Sequence, residues 1–321
     1  MTNKIYILPK SIKSNLYYSK LLSLISEIGF TPSDIPKFSF TSSNIPKKSK
    51  FLFSWQEDEV IKKTTYKSTR HFIYLLSVFL RIYLTKSQLV WIKHNIVPHR
   101  LKTANAIQRL YHKVIKLLLQ SMSHRIVCHS ENYAKQHGFT YIPHPLYDIE
   151  QTTSEKTIPF IIFGKILRYK KVDEILSYWP TSTPIMIVGK FEDEELLNKV
   201  QQIASKRSLK IEIVDKFIEQ NELNALLSKS QCVVCGNEQS SMIASGVMIH
   251  ALSAGCSLIA RSSHYSKELL SKRLPVYLFD SVEELETLIG DSQKANGSYF
   301  FQSLQESYGD HVIAEKLRHV F

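Results

Sequence analysis

The residues able to do chemistry fall at the ends of apolar runs. Ser240 to Ala260 carries a helix start rich in Ser and Gly just past the run Gln231–Cys235, with Ser245 and Gly246 at its opening. It also carries His250, a stop at Gly255 and a second apolar run. A helix opening on small residues past a strand end offers free backbone N–H groups, which suit a phosphate. The same order of strand, turn, helix and strand is also the grammar of a βαβ unit that holds no ligand. After the run Ile158–Phe163 come Gly164, Lys165, Arg168 and Lys170. These three cations could neutralise a diphosphate or sit solvated in a loop. A third set handles protons. His94, Asn95 and His99 follow the run Ser87–Lys93, and Glu57 and Asp58 follow Phe51–Trp55. A strand-end histidine either serves as a base near neutral pH or caps its own loop, and the two carboxylates are the alternative base.

Other chemistries are disfavoured by what the chain lacks. No Asp-x-Asp occurs, so a metal-bridged diphosphate is not expected. Cys128, Cys232, Cys235 and Cys256 fit no disulfide framework. The pair Cys232/Cys235 lies in an apolar run with no second ligand pair, which reads as buried, reduced thiols of a cytosolic chain. No basic start with a small-residue cleavage site opens the sequence, so no signal peptide is expected. The longest apolar run, His71–Leu84, is too short to span a bilayer and carries Arg81.

The 321 residues, 44% hydrophobic and 22% charged, have the composition of a globular chain of about two domains. Of the net charge of +12, residues 1–150 hold 22 basic against 8 acidic residues, or +14. The remainder holds 19 against 21, or −2. So basic a half seeks a polyanion: an anionic membrane surface, nucleic acid or a phosphorylated substrate. Arg109, Lys113 and Lys116 lie at helical spacing in the amphipathic stretch 106–120. That stretch is a helix lying on a leaflet or a core helix with a solvated face. No nucleic-acid motif accompanies the charge, so nucleic acid is not expected as a partner.

These residues need elements to hold them. In the first half, strands are expected at Lys4–Pro9, Phe51–Trp55, Ser87–Lys93 and Arg125–Cys128, with helices at 14–29, 71–84 and 104–121. Ser130 is a candidate helix cap, and a polar, Lys-rich loop fills the span up to Lys50. After a polar segment at Tyr147–Thr157, strands recur near 158–163, 184–188, 209–214, 231–235, 257–260 and 275–279. Helices are expected near 171–178, 193–206, 219–229, 242–254, 264–272 and 281–290. Strands separated by single helices imply an α/β chain of parallel sheets. The organisation expected is a basic first domain over 1–150, a second Rossmann-like domain over 151–300, and a helical segment over 301–321 returning towards the first. Two such domains in tandem bind ligands in the cleft at the carboxyl ends of their strands.

Five stretches together resemble a glycosyltransferase of the two-Rossmann-domain (GT-B) type, family 4-like, from the branch that builds bacterial capsule, exopolysaccharide or lipopolysaccharide. Phe53-Ser54-Trp55-Gln56-Glu57 resembles that branch's Trp-Pro-Glu strand end, and His94-Asn95-Ile96-Val97-Pro98-His99 its His-Asn-x-x-Pro-His. Ile142-Pro143-His144-Pro145 resembles the Ile-Pro-His before the linker. Phe163 to Val172 is similar to Phe-Gly-Arg-Ile-x-Pro-Tyr-Lys-Gly-Val, and Ala244 to Gly255 to Thr-Ser-Gly-x-x-x-x-Ala-x-Ser-x-Gly. Lys165 stands where Arg is usual and Lys171 where Gly is usual. Met242 and His250 occupy the positions of the two glutamates of retaining members, which tilts the expectation towards inversion.

The resemblance implies transfer of a sugar from a UDP- or GDP-linked donor to a lipid-linked saccharide at the cytoplasmic leaflet, without metal or cofactor. It implies that Gly164, Lys165, Arg168, Lys170, Ser245, Gly246 and His250 bind the donor. His94, or Glu57 or Asp58, would act as base, with Asn95 and His99 on the acceptor side. Alternatives are a sugar-nucleotide epimerase on the same scaffold and a non-catalytic, membrane-docking subunit with a decayed donor site.

Overall fold

Strands of a parallel sheet covered on both faces need unbroken apolar runs, and the runs found in the sequence form them. The computed structural model describes residues 3–10, 15–36, 45–97, 99–101, 103–149, 155–237, 243–294 and 300–321. The chain divides into two units. Unit 1 comprises Met1–Pro145, Ser240–Ala244 and Asp310–Phe321, and unit 2 comprises Leu146–Gln239 and Ser245–Gly309.

Unit 1 contains β1 (Asn3–Leu8), α1 (Leu16–Glu27), β2 (Phe30–Asp34), β3 (Lys50–Ser54), α2 (Gln56–Glu59) and α3 (Thr65–Leu84). Then follow β4 (Gln88–Ile92), α4 (Ala106–Met122), β5 (Ser123–Cys128), α5 (Glu131–His137) and β6 (Thr140–Tyr141). Its six strands lie in the order β2-β1-β3-β4-β5-β6, every pair parallel. On one face Phe51, Phe53, Leu89 and Trp91 pack against Leu75, Val78 and Phe79 of α3 and Ile115 and Leu119 of α4. On the other, Ile5, Ile7, Leu52 and Val90 meet Tyr18, Leu21 and Ile25 of α1. The helices start where side chains cap them. Asn105 and Gln108 form a reciprocal capping box at α4, and the Ser130 hydroxyl accepts from Tyr133 N at α5.

Unit 2 contains β7 (Ile158–Phe163), α6 (Val172–Tyr178), β8 (Ile185–Val188), α7 (Glu194–Lys206), β9 (Ile211–Val214), α8 (Gln220–Ser228) and β10 (Ser230–Cys235). It continues with α9 (Gly246–Ser253), β11 (Ser257–Arg261), α10 (His264–Ser271), β12 (Val276–Phe279), α11 (Leu285–Lys294) and α12 (Phe300–Tyr308). The strand order is β12-β11-β10-β7-β8-β9, again all parallel. Phe160, Ile162, Ile185, Ile187, Val234 and Ile259 form its main core with α6, α7 and α11 around the buried Trp179. In each unit the chain leaves its first strand to one side and later returns to the other. The resulting switch points are β1/β3 in unit 1 and β7/β10 in unit 2. Such a crossing leaves a crevice at the carboxyl ends of the strands.

The structure departs from the sequence expectation in four places. The span expected as loop before Lys50 contains β2, whose Phe30-Thr-Pro-Ser-Asp34 has no apolar run because it is an edge strand, where proline is tolerated. The acidic cluster Glu57–Glu59 is a turn of helix rather than a strand end. Helix α3 begins six residues before the expected 71 because Thr64 caps it. Helix α9 begins at Gly246 behind its cap Ser245, and Ser240, Ser241 and Met242 lie outside the described residues.

The last helix, α13 (Asp310–Val320), belongs to unit 1. It buries Ile313 and Leu317 against α1, and Lys20 pairs with Asp310 at 2.7 Å. Burial rather than the ion pair holds it, since half-exposed pairs contribute under about 1 kcal/mol. Leu317→Ala should lower the unfolding free energy by about 2–5 kcal/mol, whereas Lys20→Met should cost less than about 1 kcal/mol, as read by urea denaturation.

Candidate functional site

In unit 2 the strands flanking the switch point end in glycines. Gly164 follows β7 with φ of 80°, Gly189 follows β8 with φ of 141°, and Gly236 follows β10. A Cβ on Gly189 would stand 2.2 Å from the Gly164 carbonyl oxygen. One on Gly236 would stand 2.5 Å from Ile175 Cδ1 and 2.6 Å from the Lys170 carbonyl. The strand ends therefore meet backbone to backbone, leaving peptide groups rather than side chains along this edge.

The cations after β7 divide into three roles. Lys165 is exposed. Arg168 turns away from the glycines into an acidic cluster, its Nη2 donating to Asp193 at 3.0 Å and to Glu195 at 2.8 Å. Its backbone N–H donates to Glu192. Lys170 is buried, and its Nζ donates to the Phe163 carbonyl at 2.7 Å. Burial lowers that amine to about 8. Lys170 thus braces the Gly164 loop from beneath, and of the three it is Lys165 that presents an uncommitted charge at the surface.

Across the switch point, the Ser245 hydroxyl caps α9 by accepting from Met248 N at 3.4 Å, and Gly246 is the first helical residue. His250, one turn on, is buried. Its Nε2 lies 2.9 Å from Asn224 Oδ1, which also accepts from Gln220 Nε2 at 2.8 Å. The ring stacks on Tyr147 with centroids 4.4 Å apart and meets Phe163 edge-on. Burial lowers His250 to about 4, so its imidazole is neutral. Tyr147 is tied to the same helix, its N–H donating to Ser253 Oγ at 3.0 Å.

In unit 1 the residue after β3, Trp55, takes a left-handed conformation with φ of 58° and starts α2. Its indole stacks on His94, with centroids 4.2 Å apart and planes within 15°. Tyr17, His129 and His144 complete an aromatic cluster around His94. Within it the Tyr17 hydroxyl bonds His129 Nε2 at 2.6 Å, and His129 Nδ1 lies 2.8 Å from the Ile142 carbonyl. His94 Nε2 is buried without a hydrogen-bond partner among the described residues, while the His94 carbonyl accepts from Ile243 N. Burial, then the neighbouring His129, His144 and Lys93, holds His94 well below the usual histidine range. The imidazole is therefore neutral at pH 7, with Nε2 uncommitted among the described residues.

The carboxylates sit differently. Glu57 is 2% exposed; its Oε2 accepts from Trp91 Nε1 at 3.2 Å, and its carbonyl lies 2.9 Å from His112 Nδ1 of α4. Burial, with Asp58 beside it, raises Glu57 to about 7. Asp58 accepts from Asn95 Nδ2 at 2.6 Å and so fixes the loop after β4. Lys93, whose Nζ donates to the Asn95 carbonyl at 2.6 Å, joins this network. His99 opens a short 3₁₀ turn, His99–Leu101, and its side chain lies outside the described residues. The structure thus gathers Glu57, Asp58 and Asn95 into one network and gives His94 an environment of its own.

Several members of these clusters escaped the sequence: Tyr17, His129, Lys93, Tyr147, Gly189 and Gly236. The glycines carried a signal, since Phe163-Gly164, Val188-Gly189 and Cys235-Gly236 each place Gly directly after a buried apolar run. Among the described residues, no three His, Cys, Asp or Glu side chains gather as a metal site.

No protein-family model and no curated protein sequence matches the chain. Solved structures do match it along almost its whole length. Anabaena HepE in complex with UDP and glucose is similar at 12% identity, covering 98% of both chains with a TM-score of 0.68. A glycosyltransferase from Rickettsia africae ESF-5 is similar at 11% identity, covering 99% of this chain and 97% of its own, at 0.65. WaaG, a glycosyltransferase involved in lipopolysaccharide biosynthesis, is similar at 14% identity over 98% and 94%, at 0.56. At these identities the likeness establishes the fold, which is GT-B.

The buried ionisable groups set opposite pH dependences. His71, His129 and His250, lowered to about 4, and His94, also held well below the usual range, contribute stability that is fully present above about pH 6.5 and is lost as pH falls towards 4. Glu57, raised from 4.5 to about 7, contributes below pH 4.5 and loses its contribution as pH rises through 7. The melting temperature should therefore climb between pH 4.5 and 6.5. The difference between Glu57→Gln and wild type should shift in the variant's favour by up to ~3 kcal/mol from pH 5 to pH 8. A pH-independent difference would show that Glu57 is ionised in the fold.

Proposed function

We propose that this GT-B chain is a glycosyltransferase that moves a sugar from a nucleotide-diphosphate sugar to a lipid-linked saccharide. The observation that carries the proposal is the glycine-bounded edge at the β7/β10 switch point, with the capped start of α9 beside it. That edge offers backbone N–H groups and the charge of Lys165 to a diphosphate, and it excludes side chains from the space a phosphate would need. The three HepE complexes contain UDP, UDP with glucose, and UDP-glucose, which supports a UDP-linked donor. The sign of the charge on residues 1–150 and the role of WaaG in lipopolysaccharide biosynthesis support an anionic, lipid-linked acceptor at the inner leaflet, in surface polysaccharide synthesis.

In the reaction, the acceptor oxygen forms a bond to the anomeric carbon while the bond to the donor's β-phosphate oxygen breaks. The nucleoside diphosphate leaves with the electron pair. Lys165 and the first N–H groups of α9 stabilise the charge gathering on it, a task that needs no metal. The acceptor's proton goes to the base, for which we propose His94. Its Nε2 is unpartnered, and the neutral imidazole is the populated form at pH 7. Glu57 is the alternative, with one carboxyl oxygen held by Trp91 Nε1. His250 is bound to Asn224 and stacked on Tyr147, so it acts as a neutral wall of the donor site. A single base suits a single displacement with inversion.

Thermal unfolding with UDP, GDP and their sugars tests the donor site, and release of UDP coupled to acceptor glycosylation separates transfer from epimerisation. At a hundredfold excess over Kd the ligand should stabilise the protein by about 2.7 kcal/mol. Lys165→Ala should weaken that shift at least about tenfold in Kd. His94→Gln should retain the shift while kcat falls about 10²–10⁴-fold. No shift with any nucleotide would refute the enzyme, and full activity in His94→Gln would remove it as base.

A further inference from the structure

We infer that the outward face of α3 and α4 is a docking surface for an anionic lipid bilayer, with both helices lying flat upon it. The two helices cover the same face of the unit 1 sheet and are locked side by side. Phe72 stacks on Tyr111 with centroids 4.2 Å apart, and Thr69 Oγ1 bonds the Tyr111 hydroxyl at 3.0 Å. Their inner residues account for the core. Their outer residues are equally apolar, which core packing does not explain.

On α3, Tyr66, Ile73, Leu80 and Leu84 recur on the side opposite the buried Leu75, Val78 and Ile82, with Leu76 and Tyr83 flanking them. Ile73 is 60% exposed, Leu80 54% and Leu84 65%. On α4, Leu110 and Leu117 stand opposite Ile115 and Leu119, at 58% and 56% exposure, with Ile107 beside them. Nine of the fourteen exposed large hydrophobic residues among those described are on these two helices. A scattered surface leucine needs no explanation, but a stripe of this length does.

Charge decides what covers it. From Val60 to Ser130 the chain holds thirteen Lys and Arg residues and neither Asp nor Glu. Lys67, Arg70, Arg109 and Lys113 are exposed among the apolar residues of the two helices. A second copy of the chain would set identical basic rims against each other, which disfavours self-association. A nucleic acid would match the charge but would leave the aliphatic stripe in water. An anionic leaflet matches both, because acyl chains receive the aliphatic residues while headgroups receive the cations. Tyr66 and Tyr83, at 75% and 73% exposure, stand near the two ends of α3, where an aromatic ring with a polar tip suits the headgroup layer. Among the described residues no helix is long and apolar enough to cross a membrane, so the contact is one of lying on the surface. The proposal deepens the acceptor assignment and rests on it for its purpose, since docking would bring unit 1 to a lipid-linked substrate.

The test is co-sedimentation of the full chain with vesicles of phosphatidylcholine alone or mixed with phosphatidylglycerol, at low and high salt. Wild type should partition onto the mixed vesicles at least about tenfold better than onto the neutral ones, and salt should weaken binding. Leu80→Glu and Leu117→Glu should each lower the partition about tenfold or more. Both residues are exposed, so an unchanged melting temperature should accompany the loss. Arg70→Glu with Lys113→Glu should abolish the preference for anionic vesicles. Binding that survives the leucine substitutions would overturn the proposal, as would no binding at all. Dimerisation in gel filtration that Leu80→Glu abolishes would assign the face to a second copy instead. Vesicle binding needs neither donor nor turnover, so it can fail while the nucleotide shift stands, and the reverse.

Discussion

The glycine-bounded edge of unit 2 depends on one close approach: the backbone at Gly189 passes so near the Gly164 carbonyl that a β-carbon would stand 2.2 Å from it. No rotamer relieves such a clash, because both partners are main chain. The approach holds the ends of β7 and β8 in line, and Lys170 fixes the loop from below through the Phe163 carbonyl. Lys170 also forms the link to β10, since its own carbonyl lies 2.6 Å from where a Cβ on Gly236 would stand. Three strand ends are thereby joined by main-chain packing and one buried amine. Side chains can then reach the edge only from the loops beyond it, which is where Lys165 and Ser245 stand.

What the sequence made legible follows from this parallel architecture. Strands such as Phe51–Ser54, Gln88–Ile92 and Ile158–Phe163 are covered on both faces, so they read as continuous apolar runs. The boxed cap at Asn105 and the hydroxyl cap at Ser130 are local chemistry and could be read directly. Strand β2 could not, because an edge strand with Thr31, Pro32 and Ser33 lacks the apolar signal. The candidate site was legible as residue types at strand ends, but their orientation was not. Arg168 and Lys170 look alike in sequence. One faces Asp193 and Glu195 and the other a buried carbonyl, because acidic partners from the start of α7 meet only the first. Glu57 reads as a carboxylate at a strand end, yet the left-handed turn at Trp55 swings it beneath α4. Nothing local to Gln56-Glu57 encodes the proximity of Trp91 and His112.

Burial sorts the ionisable groups of unit 1 into two populations. Inside, desolvation favours neutral forms: His94 and His129 fall below the usual histidine range, and Glu57 rises to about 7. These groups persist because hydrogen bonds or ring contacts compensate most of them. Tyr17 and the Ile142 carbonyl serve His129, Trp91 serves one Glu57 oxygen, and Trp55 lies against His94. His94 Nε2 and Glu57 Oε1 are among the buried atoms without a hydrogen-bond partner among the described residues, as is His71 Nε2. A buried atom left without a partner costs stability. Such an atom persists more readily where it has a use, and proton transfer is the use a neutral imidazole at His94 can have.

The other population stays charged because it stays wet. Of the thirteen basic residues between Glu59 and Glu131, Arg81 and Lys93 are the buried ones among those described, and each spends its charge on a backbone carbonyl. Most of the others described are exposed, and apart from Glu59 at the edge of the stretch, which pairs with Lys62 and Arg100, no neighbouring acidic residue of that stretch offsets their charge. Net repulsion of this kind weakens a compact fold, and surface carboxylates would readily have reduced it. The aliphatic residues between those cations raise a second objection, since water solvates them poorly. Both difficulties disappear on the same surface, where headgroup phosphates neutralise the cations and acyl chains take up the leucines. The inner faces of the helix pair build the core in water, and the outer face, which water solvates poorly, has the chemistry that an anionic bilayer would accommodate.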